Sequence, residues 1–185
     1  PKVRGKSRSR PIAELAREAE GLLRAGHREL VLCGIHIGHW GRELGLSLAD
    51  LMERLVELES PAPYRLRLSS IEATEVDGRL LALMAAQGSR IAPHLHMPMQ
   101  SGDDGVLAAM NRWYTAQEYL EACARIRAAL DRPAFSADVL VGFPGEDERA
   151  FENTLGACRA AGFARIHAFP FSARPGTAAE GRAGV

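Results

Sequence analysis

The sequence predicts an α/β protein whose parallel strands form an incomplete β/α barrel. Short apolar segments typical of buried strands alternate with segments in which apolar residues recur every 3.6 positions, as in amphipathic helices. Polar clusters follow nearly every predicted strand. One site built from the ends of several strands is typical of a barrel, whereas a doubly wound sheet has its site at a single switch point. About five strands are predicted, a helix precedes the first of them, and we therefore expect at least one further strand upstream of Pro1.

The first third of the chain is predicted to contain a helix, a strand and a second helix. Pro11 suits the start of a helix, and apolar residues repeat at helical spacing over 11–25. The apolar run 29–33 predicts a strand that is buried on both faces. Ser47, followed three residues later by Asp50, resembles a capping box and predicts the start of the next helix, which ends before a proline.

The middle of the chain repeats this order. Alternating apolar and polar residues predict a strand over 64–69. Thr74 and Asp77 are expected to open the helix that follows. A third strand is predicted over 94–97, and a short helix is predicted near 103–110.

The last third is predicted to add a long helix, a strand, a helix and a final strand. Thr115 and Glu118 form a good capping box for the long helix. Residues 135–141 form the fourth predicted strand, Asp147 suits the cap of the last helix, and 164–169 form the fifth strand. The alternation favours parallel strands joined by right-handed crossovers.

The composition is that of an ordinary globular domain. The chain has 185 residues, of which 46% are hydrophobic and 25% are charged. Because 23 Lys and Arg balance 23 Asp and Glu, any attraction to nucleic acid must be local. No apolar run approaches the ~18 residues of a membrane span, and no hydrophobic signal region begins the chain. We therefore predict a cytoplasmic protein without a membrane partner.

The cysteine pattern excludes two classes of small protein. Cys33, Cys123 and Cys158 are widely spaced and form no C-x-x-C or C-x-x-x-C motif. This spacing argues against a disulfide framework and against a metal or iron–sulfur site made by this chain alone. Cys123 and Cys158 fall on apolar helix faces and are predicted to be packing residues.

Two features leave alternatives open. His94 and His96 share one strand face, as two metal ligands do in metal-dependent barrel hydrolases, and His36 or His39 would supply a third ligand. Such a centre also needs a further histidine and a carboxylate on other strands, and Asp138 is the only acid within a predicted strand. The loop containing Gly34, Gly38 and Gly41 does not match G-x-G-x-x-G, which argues against a dinucleotide site. It is either a flexible turn or a loop that brings backbone N–H groups close to an amino-acid-like ligand.

Two basic groups have two interpretations each. Arg65, Arg67 and Ser69 share a strand face, which indicates either a polar lumen that holds an anion or a solvated edge strand. The first ten residues contain five Lys or Arg and no acid, so they either contact phosphates or form a solvated tail. On the first interpretation the chain would be a non-catalytic RNA-binding module.

Several motifs together resemble one enzyme family, the radical S-adenosylmethionine (SAM) methylthiotransferases. The matching segments are PKVRG at 1–5, SRP at 9–11, LSSIE at 68–72, HLHMPMQSG at 94–102, MNR at 110–112, YT at 114–115, DVLVGFPGE at 138–146, IHAFPFS at 166–172 and RPGT at 174–177. The local spelling at 94–99 and 167–177 is most similar to the branch that acts on threonylcarbamoyladenosine in tRNA. The isopentenyladenosine tRNA branch and the ribosomal-protein branch remain alternatives.

The resemblance implies a barrel of about six strands that binds SAM and a [4Fe–4S] cluster. In such enzymes the cluster is held by C-x-x-x-C-x-x-C, the 5′-deoxyadenosyl radical abstracts a hydrogen from the adenine, and a second cluster delivers sulfur. It implies that these cysteines precede Pro1, so that 1–10 follows the cluster loop and 11–185 is an incomplete radical SAM barrel. The N-terminal methylthiotransferase domain and the C-terminal RNA-binding domain are expected to be absent from this chain. This chain would then contain no cluster ligand and no catalytic residue, and it would be inactive alone. The resemblance does not identify the sulfur donor.

The resemblance also implies roles for residues at the strand ends. Those expected near SAM are Gly34, His36 and Gly38 at the methionine amino group, Arg67 and Ser69 at its carboxylate, Gln100 and Ser101 at the ribose, and Val141, Gly142, Phe143, Phe169 and Pro170 at the adenine. Those expected to face the tRNA are Arg4, Arg8, Arg10 and Arg174.

Overall fold

The computed structural model describes residues 7–176, in which five strands alternate with six α-helices. The strands are β1 Glu29–Leu32, β2 Arg65–Leu68, β3 His94–His96, β4 Ala134–Val141 and β5 Arg165–Pro170. The helices are α1 Ile12–Arg24, α2 Leu48–Val56, α3 Gly78–Ala86, α4 Asp104–Ala109, α5 Ala116–Ala129 and α6 Glu148–Ala161. Every strand and α-helix predicted from the sequence is present. No helix within 7–176 is both long and apolar enough to cross a membrane.

All strand pairs are parallel, and they form two sheets. β1 pairs with β2, and β4 lies between β3 and β5. The two sheets meet between β2 and β3, where the N–H of Ile71 donates to the carbonyl of His96 at 3.0 Å and that of Ala92 donates to the carbonyl of Leu66 at 2.8 Å. The strands therefore follow one another in chain order without closing. The prediction of a partial parallel β/α barrel is confirmed.

The two faces of the strands differ in polarity. On one face, Leu66, Leu95 and Phe135 are completely or almost completely buried and belong to the core formed with the helices. The opposite face, which we call the lumen face, carries polar side chains because successive residues of a strand point to opposite sides of the sheet. Its polar members are Glu29, Arg65, Arg67, His94, His96, Ser136, Asp138, Arg165 and His167.

Side-chain caps explain where helices α2 to α6 begin. Ser47 and Thr115 each form a complete capping box, with Asp50 and Glu118 respectively. Asp77 accepts from the N–H of Leu80 and caps α3, as the aspartates before α4 and α6 do for their helices. Thr74 does not open α3 as predicted, because it lies in the separate 3-10 turn Ala73–Glu75.

The loop after β3 packs directly against α6. A Cβ atom at Gly102 would lie 2.6 Å from the Cβ of Ala157 and 2.7 Å from the Cα of Thr154, so no larger residue fits without backbone movement. The Thr154 hydroxyl accepts from the N–H of Gly102 at 3.0 Å and lies 3.1 Å from the hydroxyl of Ser101. Glycine here permits the contact that joins β3 to α6.

This contact predicts opposite effects for two glycine substitutions. Gly102→Ala should lower the free energy of unfolding by about 1–3 kcal/mol, since the added methyl group overpacks the contact. Gly156→Ala, on the exposed side of α6 with nothing within 4 Å of the added Cβ, should raise it by about 0.5–1 kcal/mol. Urea unfolding of both variants and the unmodified chain measures the effects. Stabilisation by Gly102→Ala would contradict the close approach.

One acidic residue on the lumen face joins β1 to β2. Glu29 accepts from Arg65 Nε at 2.7 Å and from Arg67 Nε at 2.9 Å. Hydrogen bonds from Arg67 and then Arg65 hold the pKa of the Glu29 carboxyl at about 2, below its ordinary 4.5. Because the folded-state pKa is lowered, this stabilisation is present above about pH 4.5 and is lost as the pH falls toward 2.

Glu29→Gln should therefore remove a pH-dependent part of the stability. We expect a loss of about 1 kcal/mol near neutral pH, limited by solvent screening of the partly exposed carboxylate, and a loss close to zero near pH 2. Urea unfolding across this pH range measures the difference from the unmodified chain. Glu53→Gln is the control, because among the described residues Glu53 pairs with one arginine only, Arg79, whose side chain is exposed. Loss of this exposed pair should change the stability little. A difference for Glu29→Gln that does not vary with pH would contradict the assignment.

Candidate cofactor and substrate site

The loops that follow the carboxyl ends of the parallel strands lie at one end of the two sheets, which we call the mouth. In β/α barrels the active site lies at this end. In the described part of the chain, four large apolar side chains remain exposed in or beside these loops: Ile35 and Leu44 after β1, Trp113 between α4 and α5, and Phe169 near the end of β5. Exposed apolar groups above a polar lumen face suit a ligand that has both a charged end and an aromatic end.

A chain of polar contacts crosses the lumen face. The Ser136 hydroxyl lies 3.0 Å from His96 Nδ1 and 3.3 Å from His94 Nε2. His96 Nε2 is 3.4 Å from a carboxylate oxygen of Asp138, and the rings of His96 and His167 meet edge to face at 5.9 Å. Burial lowers the pKa of His94, so its imidazole is biased toward the neutral form. The prediction of a polar lumen agrees with these contacts.

The histidine pair of β3 does not form the metal centre considered for a barrel hydrolase. Within residues 7–176, only His36, His39 and Glu75 place three ligand-type atoms from His, Cys, Asp or Glu within 4.8 Å of one another. His94 and His96 instead bind Ser136. Neither His36 nor His39, each considered as a third ligand, joins them in such a cluster.

The loop after β1 folds back onto the loop after β2. It contains the 3-10 turns Ile37–His39 and Arg42–Leu44, which the sequence analysis did not predict. The imidazoles of His36 and His39 stack with their centroids 3.7 Å apart. Each places Nε2 beside the same carboxylate oxygen of Glu75, at 2.6 and 2.7 Å respectively. Burial is the main cause that lowers the pKa of His39.

Glycine is required where this loop approaches Glu75. A Cβ atom at Gly38 would lie 2.8 Å from both Cβ and Cδ of Glu75, and one at Gly34 would lie 2.6 Å from the side chain of Ile37. These contacts explain two glycines that were expected to adjoin SAM. Because glycine has no side chain, only the backbone N–H groups of the loop could donate hydrogen bonds to an amino-acid ligand at these positions.

Sequence reasoning missed Glu75 as part of the site. Glu72, in the LSSIE motif, lies nearby with an oxygen 3.5 Å from Arg112 Nη1. Burial raises the pKa of Glu72, and the charge of Arg112 opposes this shift. Glu72 and Glu75 are three residues apart just after β2, and a short turn places residues at this spacing on the same side. This E-x-x-E pattern could have indicated Glu75 as a site residue.

The structure directs Arg67 away from the mouth. Its guanidinium binds Glu29 near the start of β1, and Ser69 is half-buried with its N–H donating to the carbonyl of Leu32 at 3.0 Å. A contact between Arg67 and the carboxylate of SAM stays a prediction. It would require Arg67 to release Glu29 and bind the SAM carboxylate instead.

Gln100 and Ser101 follow β3 in different roles. Gln100 has a left-handed backbone, with φ of 66°, and its main chain hydrogen-bonds to Asp138 and Leu140 of β4 at 2.8 Å each. Its side chain is half-buried at the mouth. Ser101 is completely buried, and its hydroxyl contacts Thr154. Of the two residues expected near the ribose, Gln100 is the one whose side chain is partly accessible.

Of the residues expected near the adenine, some are buried and others are accessible. Phe143 is buried in a small cluster and meets Phe171 at a ring distance of 5.3 Å. Gly142 has φ of 71° and donates its N–H to Glu146, while Val141 is half-buried. Phe169 and Pro170 at the end of β5 are exposed. An aromatic ligand would therefore meet the side chain of Phe169 and the backbone beside Gly142.

The basic residues expected to face tRNA have different surroundings. Arg4 lies outside the described residues. Arg8 is exposed, whereas Arg10 contacts Glu18 at 2.6 Å and Glu14 at 4.0 Å. The Ser9 hydroxyl accepts from the N–H of Gly41 at 2.8 Å, which places this segment beside the loop after β1. Arg174 is exposed in the segment after β5.

The residues of the chain fit SAM but do not supply the ligands of a [4Fe–4S] cluster. The mouth combines backbone N–H groups with the exposed side chain of Phe169, which suit the polar and the aromatic ends of SAM respectively. In contrast, Cys33 is exposed beside β1, whereas burial raises the pKa of Cys123 to about 11 and also that of Cys158. Cluster ligands are thiolates that converge on one point, which these three do not do.

Comparison with known proteins agrees with this geometry. The model of the Radical SAM superfamily matches residues 1–158. The chain is 41% identical over 97% of its length to a tRNA-2-methylthio-N(6)-dimethylallyladenosine synthase of Cereibacter sphaeroides. It is 39% identical, also over 97%, to a threonylcarbamoyladenosine tRNA methylthiotransferase of Rickettsia prowazekii. It spans about two fifths of the length of these curated relatives, 40% and 42% respectively.

A solved structure supports the fold. Coproporphyrinogen III oxidase of Escherichia coli, a radical SAM enzyme, superposes with a TM-score of 0.65 over 89% of this chain and 36% of that protein, at 16% identity. Members of the superfamily use SAM and [4Fe–4S] clusters, which confirms the cofactor prediction for the family. Two parallel sheets with an open mouth, together with a family match over most of the sequence, show that this chain belongs to the radical SAM superfamily.

Proposed function

We propose that this chain is the SAM-binding and substrate-orienting part of an enzyme that adds a methylthio group to a modified adenosine in tRNA. The observation that carries the proposal is the similarity over nearly the whole chain to two kinds of enzyme, both named for methylthio-adenosine chemistry in tRNA. The polar lumen face and the open mouth support it, because both reactants need hydrogen-bonding groups there. A tRNA substrate also supports the prediction of a cytoplasmic location.

SAM, together with a [4Fe–4S] cluster, supplies a carbon radical that removes a hydrogen atom from the substrate. The chain's own residues bind and orient the reactants. Backbone N–H groups of 34–38 would bind the amino-acid end of SAM, and Gln100 would contact the ribose. Phe169 would pack on the adenine, beside the backbone of Gly142. Arg8 and Arg174, exposed in the segments before α1 and after β5, would contact the anionic tRNA.

For the substrate, we favour threonylcarbamoyladenosine. The local spelling of 94–99 and 167–177 supports this choice. A threonylcarbamoyl group carries a carboxylate, so its pocket should contain donor or cationic groups, and Arg174 with His167 are the candidates. An isopentenyl pocket should be apolar, since a desolvated and unpaired arginine would cost a few kcal/mol. Isopentenyladenosine, also called dimethylallyladenosine, is the second candidate, because the 41% identical relatives of Cereibacter sphaeroides are named for it.

Mass spectrometry of tRNA nucleosides tests the substrate. Deletion of the gene that encodes this chain should remove the methylthio derivative of threonylcarbamoyladenosine, and restoration of the gene should return it. The unmodified precursor should accumulate in the deletion strain. If the derivative of isopentenyladenosine disappears instead, the substrate assignment is wrong but the reaction class stands. If neither derivative changes, the proposed function is wrong.

The cysteine geometry predicts the outcome of cluster reconstitution. The chain alone, incubated anaerobically with iron and sulfide and then desalted, should retain far less than four iron and four labile sulfide per chain, because its thiols do not converge. Iron and acid-labile sulfide assays measure this directly. Close to four of each, lost in Cys33→Ser, would contradict the prediction.

A further inference from the structure

The strongest unexplained feature of the molecule is a group of buried polar atoms without hydrogen-bond partners beside the mouth. Both carboxylate oxygens of Glu75, Nε2 of His36, one oxygen of Glu72 and the indole nitrogen of Trp40 are buried and unpaired. The side chain of Glu75 is only 5% exposed. A buried carboxylate without hydrogen bonds costs several kcal/mol unless a cation compensates it.

The neighbouring histidines approach Glu75 without hydrogen-bonding to it. His36 Nε2 and His39 Nε2 lie 2.6 and 2.7 Å from the same carboxylate oxygen, yet neither N–H group is aligned with that oxygen. The rings stack nearly in parallel, at an interplanar angle of 26°. Two imidazole nitrogens and one carboxylate therefore lie within 4.8 Å of one another, close enough to ligate one metal ion after a small rearrangement.

We propose that His36, His39 and Glu75 bind a divalent transition-metal ion of the zinc class. Two imidazoles and one carboxylate are a ligand set that Zn²⁺ favours, with the fourth position open. Bonds of about 2.0–2.1 Å in a tetrahedral site separate the ligand atoms by about 3.3 Å, so the 2.6 and 2.7 Å contacts of Glu75 must lengthen by about 0.6–0.7 Å on binding. The site goes beyond the proposed function and does not depend on it.

The surrounding structure favours binding. Gly38 permits the histidine loop to lie against Glu75, where any Cβ atom would collide. His36 and His39 are 36% and 27% exposed, so an ion can enter from the side of the histidines. Glu72 adds a second carboxylate in the vicinity, and its charge and that of Glu75 act on each other. A bound ion would fix the loop after β1 to the loop after β2 and thereby stabilise this side of the mouth.

Both tryptophans of the chain adjoin the site and provide a local signal. Trp40 directly follows His39, and the Trp113 ring lies 6.0 and 6.3 Å from the rings of His36 and His39. Paramagnetic Co²⁺ bound there should quench tryptophan fluorescence. It should also give the visible absorption of a nitrogen and oxygen site, without a thiolate charge-transfer band.

The test is titration of the purified metal-free chain with Zn²⁺ and, separately, with Co²⁺. We expect one ion per chain, a dissociation constant for Zn²⁺ on the order of 1 μM or tighter, and a higher melting temperature with Zn²⁺. His39→Gln and Glu75→Gln should each weaken binding at least about 100-fold and abolish the thermal shift. His39 is partly exposed, so His39→Gln should still fold. If Glu75→Gln does not fold, the Zn²⁺ affinity of His39→Gln alone tests the proposal.

Two control variants make the result specific. His27→Gln removes an exposed imidazole between α1 and β1, and Cys33→Ser removes the thiol closest in sequence to the site. Both should bind Zn²⁺ as the unmodified chain does. Absence of stoichiometric binding, unchanged binding in His39→Gln, or equal loss in either control variant would overturn the proposal.

Discussion

The arrangement of this molecule depends on the two-sidedness of its parallel strands. Each of the first four strands buries one face against helices, where leucine, phenylalanine and alanine exclude water. The other face is left to line the lumen. Because the sheets do not close, this second face is neither packed like a core nor fully solvated. Polar side chains on it are stable only where they pair with one another.

The lumen contacts follow from this constraint. Glu29 pairs with Arg65 and Arg67 across β1 and β2, and the Ser136 hydroxyl joins two imidazoles across β3 and β4. Each contact joins neighbouring strands, so the same side chains that make the lumen polar also hold the strands in register. The stability of the sheet and the polarity of the mouth therefore have a common cause.

The mouth is built from loops that are held in place by close backbone approaches. Gly102 against α6 and Gly38 against Glu75 are positions where a single methyl group would collide. These approaches position the loops at the carboxyl ends of the strands, the end at which β/α barrels have their active sites. Relatives that are 41% and 39% identical over 97% of the chain carry two different substrate names, so overall similarity does not distinguish between the two substrates.

The sequence alone determined the order of the elements, because that information is local. Apolar periodicity, the capping boxes at Ser47 and Thr115 and the turn residues predicted every strand and α-helix to within a few residues, and the motifs indicated the family. Only the tertiary structure decided which polar residues meet. Arg67 binds Glu29 from the neighbouring strand, Ser101 turns into α6, and Glu75 joins two histidines that precede it by more than thirty residues. Such contacts depend on how strands and loops lie side by side, which no local pattern of residues encodes.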